Sequence, residues 1–306
     1  MEKAAVIFNP AAGQGRLEQS IEAIQKKLES AFESVTLYRT EQPGDGSEYV
    51  KKIGHEVDVI IAAGGDGTVH EIAGAVCSLE IRPVFGVIPG GTCNDFSRAI
   101  GLDQNPIQAA EQIAKRTVKQ IEVGHTGDGY FLNFWGIGLI TQVSSQINEN
   151  TKDSFGRLAY YISAAQNLKN PASFHVKMES DHYSYDGEAV MILVGNGPFT
   201  GGVRVFFPRI DMADGKVDVL LIKEASLPMI WSILRSKTDD ALPHEDENIV
   251  YFRTKRVEIE TDPQQKVDCD GERSGHTPVV ISTLPEHLNV LVGENDQWFS
   301  RTAIRE

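Results

Sequence analysis

The sequence predicts two domains of different class: an α/β domain built on a parallel sheet, followed by an all-β sandwich. Three observations carry this. Up to about residue 124, short apolar runs alternate with stretches at helical spacing, as in strand–helix–strand units around a parallel sheet. From about residue 117 the texture changes to short alternating runs broken by Gly-Asp-Gly, Asp-Gly and Pro turns, as in antiparallel sheets. Finally, 306 residues are many for a single core. The expected division is 1–124 and 125–295.

In the first domain, strands are expected at 4–8, 34–39, 57–63 and 84–88. Leu17, Ile21, Ile24 and Leu28 recur at i, i+4, i+7 and i+11, which is one face of an amphipathic helix. Further helices are expected at 46–53, 68–77 and 106–115. In the second domain the alternating runs are 120–123, 130–135, 172–178, 188–194, 217–222, 249–252, 256–260, 278–282 and 288–291. Leu158, Tyr161, Ile162, Ala165 and Leu168 mark a helix inserted among them, and 227–236 marks another. The acid-rich run 238–247 is expected as a solvated loop.

Composition narrows the function classes. The hydrophobic share of 41% and charged share of 24% are ordinary for a globular protein. A net charge of −14 argues against nucleic acid as a partner and against strong general attraction to anionic membranes. Cys77, Cys93 and Cys269 are widely spaced, which fits a reducing compartment and offers neither a disulfide framework nor a zinc site. The longest apolar run, 130–140, is too short to span a bilayer. The chain enters its first strand without a signal-peptide pattern. A cytoplasmic location is expected.

The most informative segment follows the third strand: Gly64-Gly65-Asp66-Gly67-Thr68, three glycines around one carboxylate, then a helix. A strand–glycine turn–helix unit brings bare main-chain amides to a helix N-terminus, where phosphate oxygens bind. Glycine lets a ligand approach the backbone closely. Asp66 suits such a site if a divalent cation lies between it and the phosphates; the alternative is a tight turn with no ligand. Pro89-Gly90-Gly91-Thr92-Cys93-Asn94-Asp95 follows the fourth strand, and Asn9-Pro10-Ala11-Ala12-Gly13 follows the first. Loops after parallel strands converge at one sheet edge, where α/β proteins bind ligands. Neither glycine pair fits the Walker pattern. Thr92 and Asn94 suit phosphate or ribose contacts, although Asn94 and Asp95 equally suit helix capping. Cys93 is either a reactive thiol or a small residue filling a turn.

These motifs resemble the diacylglycerol kinase catalytic-domain family, in particular its soluble bacterial lipid-kinase branch, related to sphingosine and ceramide kinases. The resemblance continues through 131–138 (Phe-Leu-Asn-Phe-Trp-Gly-Ile-Gly), 194–202, Asp214-Gly215-Lys216-Val217-Asp218 and Asp270-Gly271-Glu272. The glycine loop by itself is shared with NAD kinases and phosphofructokinases.

The resemblance implies an NAD kinase/phosphofructokinase-like nucleotide-binding domain, completed by 296–306, and a C-terminal β-sandwich lipid-substrate domain, with the active site in the interdomain cleft. It implies transfer of the γ-phosphoryl group of ATP to a lipid hydroxyl, diacylglycerol first among candidates. The ATP site it implies comprises Asn9, Pro10, Ala11, Ala12 and Gly13, then Thr40, then Gly64, Gly65, Asp66, Gly67, Thr68, Val69, His70 and Glu71, with Thr92 and Asn94. Asp66 is expected to engage catalytic Mg²⁺–ATP. Glu272 is expected as the base, although Asp-Gly alone is a common hairpin signal. Asp211, Asp214 and Lys216 correspond to a structural Mg²⁺ loop, with Asp214 using its carboxylate and positions 211 and 216 their carbonyls; a plain turn is the alternative. Residues 196–202 are either part of a lipid-binding mouth or a wide turn. Lys152, Arg157 and Lys169 either touch headgroups or solvate a helix. The expected partner is a lipid met transiently at a membrane surface, the inner face included; the resemblance leaves monomer and homodimer both open, since dimers occur among relatives. The competing functions are an NAD kinase-like enzyme and a nucleotide sensor without turnover.

Overall fold

The computed structural model of the chain describes residues 2–144, 172–204, 207, 210–223 and 247–294. The expected helices at 158–168 and 227–236, with Lys152, Arg157 and Lys169, lie outside these residues. So do nearly all of the acid-rich run and segment 296–306. The chain forms two compact units: Met1–Glu122 with Glu286–Glu306, and Val123–Pro285.

Unit 1 runs β1 (Lys3–Phe8), a 3-10 turn (Ala12–Gly15), α1 (Arg16–Leu28), β2 (Ser34–Arg39), α2 (Asp45–Ile53), β3 (Val59–Gly64), α3 (Asp66–Cys77), β4 (Val84–Pro89), α4 (Asp95–Ala99) and α5 (Pro106–Ile113). The order β2-β1-β3-β4 is parallel throughout. Every residue of β3 is buried, because helices cover both faces of a parallel sheet and leave no solvated side. Helix α1 buries the four residues its spacing predicts, Leu17, Ile21, Ile24 and Leu28. Each such side chain contributes about 1.5–3 kcal/mol. Asn105 caps α5 by accepting the amides of Ile107 and Gln108, with Pro106 as first helical residue. Chain order reverses between β1 and β3, so their carboxyl ends flank a topological switch point, where open α/β sheets bind ligands.

Unit 2 begins within β5 (Val118–His125) and continues β6 (Tyr130–Phe131), β7 (Phe134–Gly138), α6 (Leu139–Ser144), β8 (Phe174–Ser180), β9 (Ser184–Ala189), β10 (Met191–Gly195), β11 (Phe199–Thr200), β12 (Val203–Arg204), β13 (Val217–Ile222), β14 (Ile249–Thr254), β15 (Arg256–Asp262), β16 (Lys266–Cys269), β17 (Glu272–His276) and β18 (Val279–Leu291). One antiparallel layer runs β14-β13-β10-β7-β16-β17; the other joins β18, β15, β8 and β9. Alternate residues from both layers meet in one core: Trp135, Ile137, Ile192, Val194, Val217 and Val219 from the first, with Phe174, Val176, Met178, Val257, Ile259 and Ile281 from the second. This is the expected sandwich.

The short elements α4, β11, β12, β16 and β17 were not among the expected runs, and two larger differences stand out. The runs at 278–282 and 288–291 form one strand, β18, with Pro285 and Glu286 (φ +51°) interrupting the alternation between them. Val279 pairs with Ile259 of β15 in unit 2, and Val290 pairs in parallel with Phe85 of β4 in unit 1. Strand β9 was not foreseen. Its sequence, Ser-Tyr-Asp-Gly-Glu-Ala, is mostly polar because it lies at a sheet edge.

Candidate active site

In unit 1 the three glycine-rich loops leave the carboxyl ends of β1, β3 and β4 and pack on one another. A Cβ on Gly13 would sit 2.8 Å from the Gly90 carbonyl, and one on Gly91 would sit 2.8 Å from Gly65 Cα. Glycine is therefore required first for loop-on-loop contact. Gly13 (φ +60°), Gln14 (φ +61°) and Gly15 (φ +83°) are successively left-handed, a shape that turns the chain sharply into α1. Hydrogen bonds complete the knot: Gly90 N–H donates to the Gly64 carbonyl at 2.7 Å, and Asn9 Nδ2 reaches Thr68 Oγ1 at 3.4 Å. Asn9 Oδ1 accepts the Ala11 amide at 3.0 Å, which shapes the Asn9-Pro10-Ala11-Ala12 turn. Thr40 donates its hydroxyl and its amide to the Phe8 carbonyl, at 3.3 and 3.0 Å.

Asp66 has an unforeseen task. Its carboxylate accepts the amide of Asp95 at 2.7 Å and that of Asn94 at 3.0 Å. It thus supplies the N-terminal cap of α4 from a different loop and ties the turn after β3 to the turn after β4. Asn94 occupies the N-cap position of α4 at φ +51° without a side-chain cap bond. Its side chain turns back, accepting the Gly91 amide at 2.8 Å and donating to the Gly91 carbonyl at 2.9 Å. Capping is present at this turn, and Asp66 provides it.

Helix α3 begins after Gly65 with no side-chain cap, so its first turn presents main-chain amides and the positive end of the helix dipole beside the loop knot. Gly67 and Thr68 are half-buried there, and Thr92 is exposed. Val69 faces the core. Glu71 looks elsewhere: its carboxylate accepts the Ser47 amide at 2.9 Å in the first turn of α2. His70 is half-buried. Cys93 is buried and fills the turn.

In unit 2, Asp270 and Gly271 are the central residues of the β16–β17 hairpin, at φ +53° and +89°, as a two-residue type I′ turn requires. Cys269 faces Glu272 across it. Glu272 is exposed. Asp270 is buried and accepts three consecutive amides, from Leu132, Asn133 and Phe134, at 2.8, 2.8 and 2.9 Å. The Asn133 carbonyl accepts the amides of Asn196 and Gly197 at 2.8 and 2.9 Å. Residues 196–197 are thus held by main-chain bonds. Gly201 (φ +62°) and Gly202 (φ +82°) turn the chain between β11 and β12.

The 211–216 loop contains two local carboxylate turns. Asp211 Oδ1 accepts the Ala213 amide at 3.0 Å, and Asp214 Oδ1 accepts the Lys216 amide at 3.1 Å. The other oxygen of Asp214 forms an ion pair with Arg253. Arg253 also faces buried Asp218 across the β13–β14 ladder, Nε to Oδ2 at 3.6 Å, and Tyr251 donates its hydroxyl to Asp218. Asp214 with main-chain carbonyls of the same loop would match the sparse protein ligation Mg²⁺ accepts, provided the ion shares Asp214 with the guanidinium. Among the described residues no group of three or more His, Cys, Asp or Glu side chains forms a metal cluster. Sequence inspection missed Arg253 and also Asp268, whose carboxylate accepts the Gly271 amide of the hairpin turn, because neither stands in a motif.

Residues 3–126 match the diacylglycerol kinase catalytic domain, and residues 136–292 match the YegS C-terminal NAD kinase beta sandwich-like domain. A Staphylococcus aureus (strain JH9) protein, provisionally named a lipid kinase, is 32% identical over 94% of this chain and 95% of its own. A crystal structure of a diacylglycerol kinase from Bacillus anthracis str. Sterne is 35% identical, with a TM-score of 0.80, over 96% of this chain and 97% of that one. A second Sterne structure, provisionally named a diacylglycerol kinase, reaches 39% identity and a TM-score of 0.86 over 96% of each chain.

Proposed function

Since the chain belongs to the diacylglycerol kinase catalytic-domain family of lipid kinases, we propose that it transfers the γ-phosphoryl group of ATP to a lipid hydroxyl, with diacylglycerol as the acceptor. The observation that carries the donor half is the knot of three glycine loops around the uncapped N-terminus of α3, at the switch point of a parallel sheet. Clustered main-chain amides with a helix dipole neutralise phosphate charge without any side chain.

In this reading the loops 9–13 and 90–94 and the segment 64–68 at the start of α3 cradle the triphosphate, with Thr40 and Thr92 at their margin. Asp66 is the carboxylate of that cradle; while its oxygens hold the Asn94 and Asp95 amides, its remaining lone pairs would help to bind the Mg²⁺ that accompanies ATP as substrate. Glu272 takes the proton of the acceptor hydroxyl. That oxygen attacks the γ-phosphorus, the bond from the γ-phosphorus to the β–γ bridging oxygen breaks, and ADP leaves. A structural Mg²⁺ would be held by Asp214 with the carbonyls of Asp211 and Lys216, and it would stiffen the loop before β13. The lipid is met at a membrane surface. No helix among the described residues is long and apolar enough to cross a membrane.

The test is transfer from γ-labelled ATP into a panel of lipids in mixed micelles, with NAD⁺ included. Label in a lipid, greatest in diacylglycerol, is expected. Label appearing only in NAD⁺ would overturn the proposal.

A further inference from the structure

We infer that Asp270 is a positioning residue for the phosphoryl transfer: its carboxylate, filling a nest of three main-chain amides, sets where Glu272 stands. This rests on the lipid-kinase reading above and goes a step further into its site. An Asp-Gly hairpin turn does not need such a contact. Left-handed φ at its first central residue is met equally well by Asn, whose side chain then faces solvent. Here the side chain is buried instead, and it accepts the amides of Leu132, Asn133 and Phe134 together. Three successive amides converging on one point form an anion-binding concavity, and the chain fills it with its own carboxylate.

The contact is closed on every side. The Asp270 amide donates back to the Phe134 carbonyl at 3.0 Å, and Gly271 donates its amide to Asp268 Oδ1 at 2.9 Å. The carbonyl face of the same segment is also held: Asn196 Nδ2 donates to Leu132 at 2.9 Å, and the amides of Asn196 and Gly197 donate to Asn133. Residues 132–134, 196–197 and 268–271 are thus one hydrogen-bonded block. Glu272 is the first residue after it, exposed and at the start of β17. An exposed glutamate has many rotamers, and its reach toward a substrate hydroxyl depends on where its Cα is pinned. A misplacement of about 1 Å costs on the order of a hundredfold in rate.

The test is a double-mutant cycle of Asp270→Asn and Glu272→Gln on the intact chain, reading kcat for lipid phosphorylation, KM for ATP and the melting temperature. In Asp270→Asn one oxygen can still accept the amides of Asn133 and Phe134, but the Leu132 amide then faces a second donor, so the nest is broken at constant size. The expected result is a ten- to hundredfold fall in kcat with KM for ATP unchanged. In the Glu272→Gln background, Asp270→Asn should change the residual turnover less than twofold, since a group that acts through Glu272 has nothing left to position. If the two losses multiply, Asp270 acts independently of Glu272 and the inference fails. Should Asp270→Asn not fold, Asp270→Glu keeps the charge, displaces the carboxylate by one methylene and enters the same cycle; full turnover by that variant also overturns the inference. A wild-type chain that labels no lipid overturns the parent reading, and this one with it. Multiplying losses in an active enzyme overturn this one alone.

Discussion

Two carboxylates show how little a side chain's type says about what it touches. Asp66 stands in a glycine loop and Asp270 in a hairpin turn, yet each gives its oxygens to main-chain amides distant in sequence. Removing an acceptor from such amides leaves donors without their partner, at about 1–3 kcal/mol. Asp66→Ala should therefore lower the melting temperature of the nucleotide-free protein, by an amount equivalent to about 1–3 kcal/mol. Equal melting temperatures would show that Asp66 has no part in holding the two loops together. Glu272 is the opposite case. It is exposed and makes no structural contribution that burial would betray. Glu272→Gln should cut kcat by about a hundredfold or more while calorimetric ATP affinity stays within twofold. Unchanged turnover would remove Glu272 from the mechanism.

At the scale of elements, the donor cradle is built by loop packing before any ligand arrives. Gly91 and Gly65 are close enough that a Cβ on Gly91 would lie 2.8 Å from Gly65 Cα, where main chain must give way. Gly91→Ala should separate the turns after β3 and β4 and weaken ATP binding at least about tenfold, or 1.4 kcal/mol, with the circular dichroism spectrum preserved. ATP affinity equal to wild type would contradict the cradle. In unit 2 the β13–β14 ladder places Arg253 between half-buried Asp214 and buried Asp218. Losing that guanidinium leaves Asp218 without its facing cation, at about 3–5 kcal/mol. Asp214 is released at the same time. Arg253→Met should thus melt earlier than wild type, and added Mg²⁺ should raise its melting temperature more than it raises the wild type's. An equal response to Mg²⁺ would exclude the 211–216 loop as the ion's seat.

At the scale of the molecule, the three cysteines are buried, and burial governs their chemistry. Desolvation pushes the Cys77 thiol up from 9.0 to about 12, slightly offset by Arg82, and it pushes Cys269 well up, helped by Asp270 and Asp268. Because the folded state keeps these protons more tightly than the unfolded chain, the stability they contribute is complete below pH about 9. It is lost as pH rises through that value toward about 12. Alkaline unfolding should accordingly set in above pH about 9, and a disulfide reagent at pH 8 should label the folded protein slowly and the unfolded protein at once. Rapid labelling of Cys77 in the folded chain would contradict this. The net charge of −14 argues against a broad electrostatic attraction to anionic membranes.

Much of the architecture was legible in the amino-acid order because it is periodic. The spacing of Leu17, Ile21, Ile24 and Leu28 marks a helix face, and the apolar run of β3 marks a strand covered on both sides. The glycine loops were visible for a different, local reason: glycine in such turns has few substitutes. Of what was not legible, three features show why. Strand β18 is continuous through Pro285 because partners on either side of the break hold it. The cap on α4 comes from Asp66, 28 residues earlier. The seat of Asp270 is the amides of 132–134, well over a hundred residues before it. Local order sets which conformations each segment prefers. Which distant amide meets which carboxylate is decided only when the sheets bring those segments within hydrogen-bond reach, and no pattern of neighbours along the chain encodes that distance.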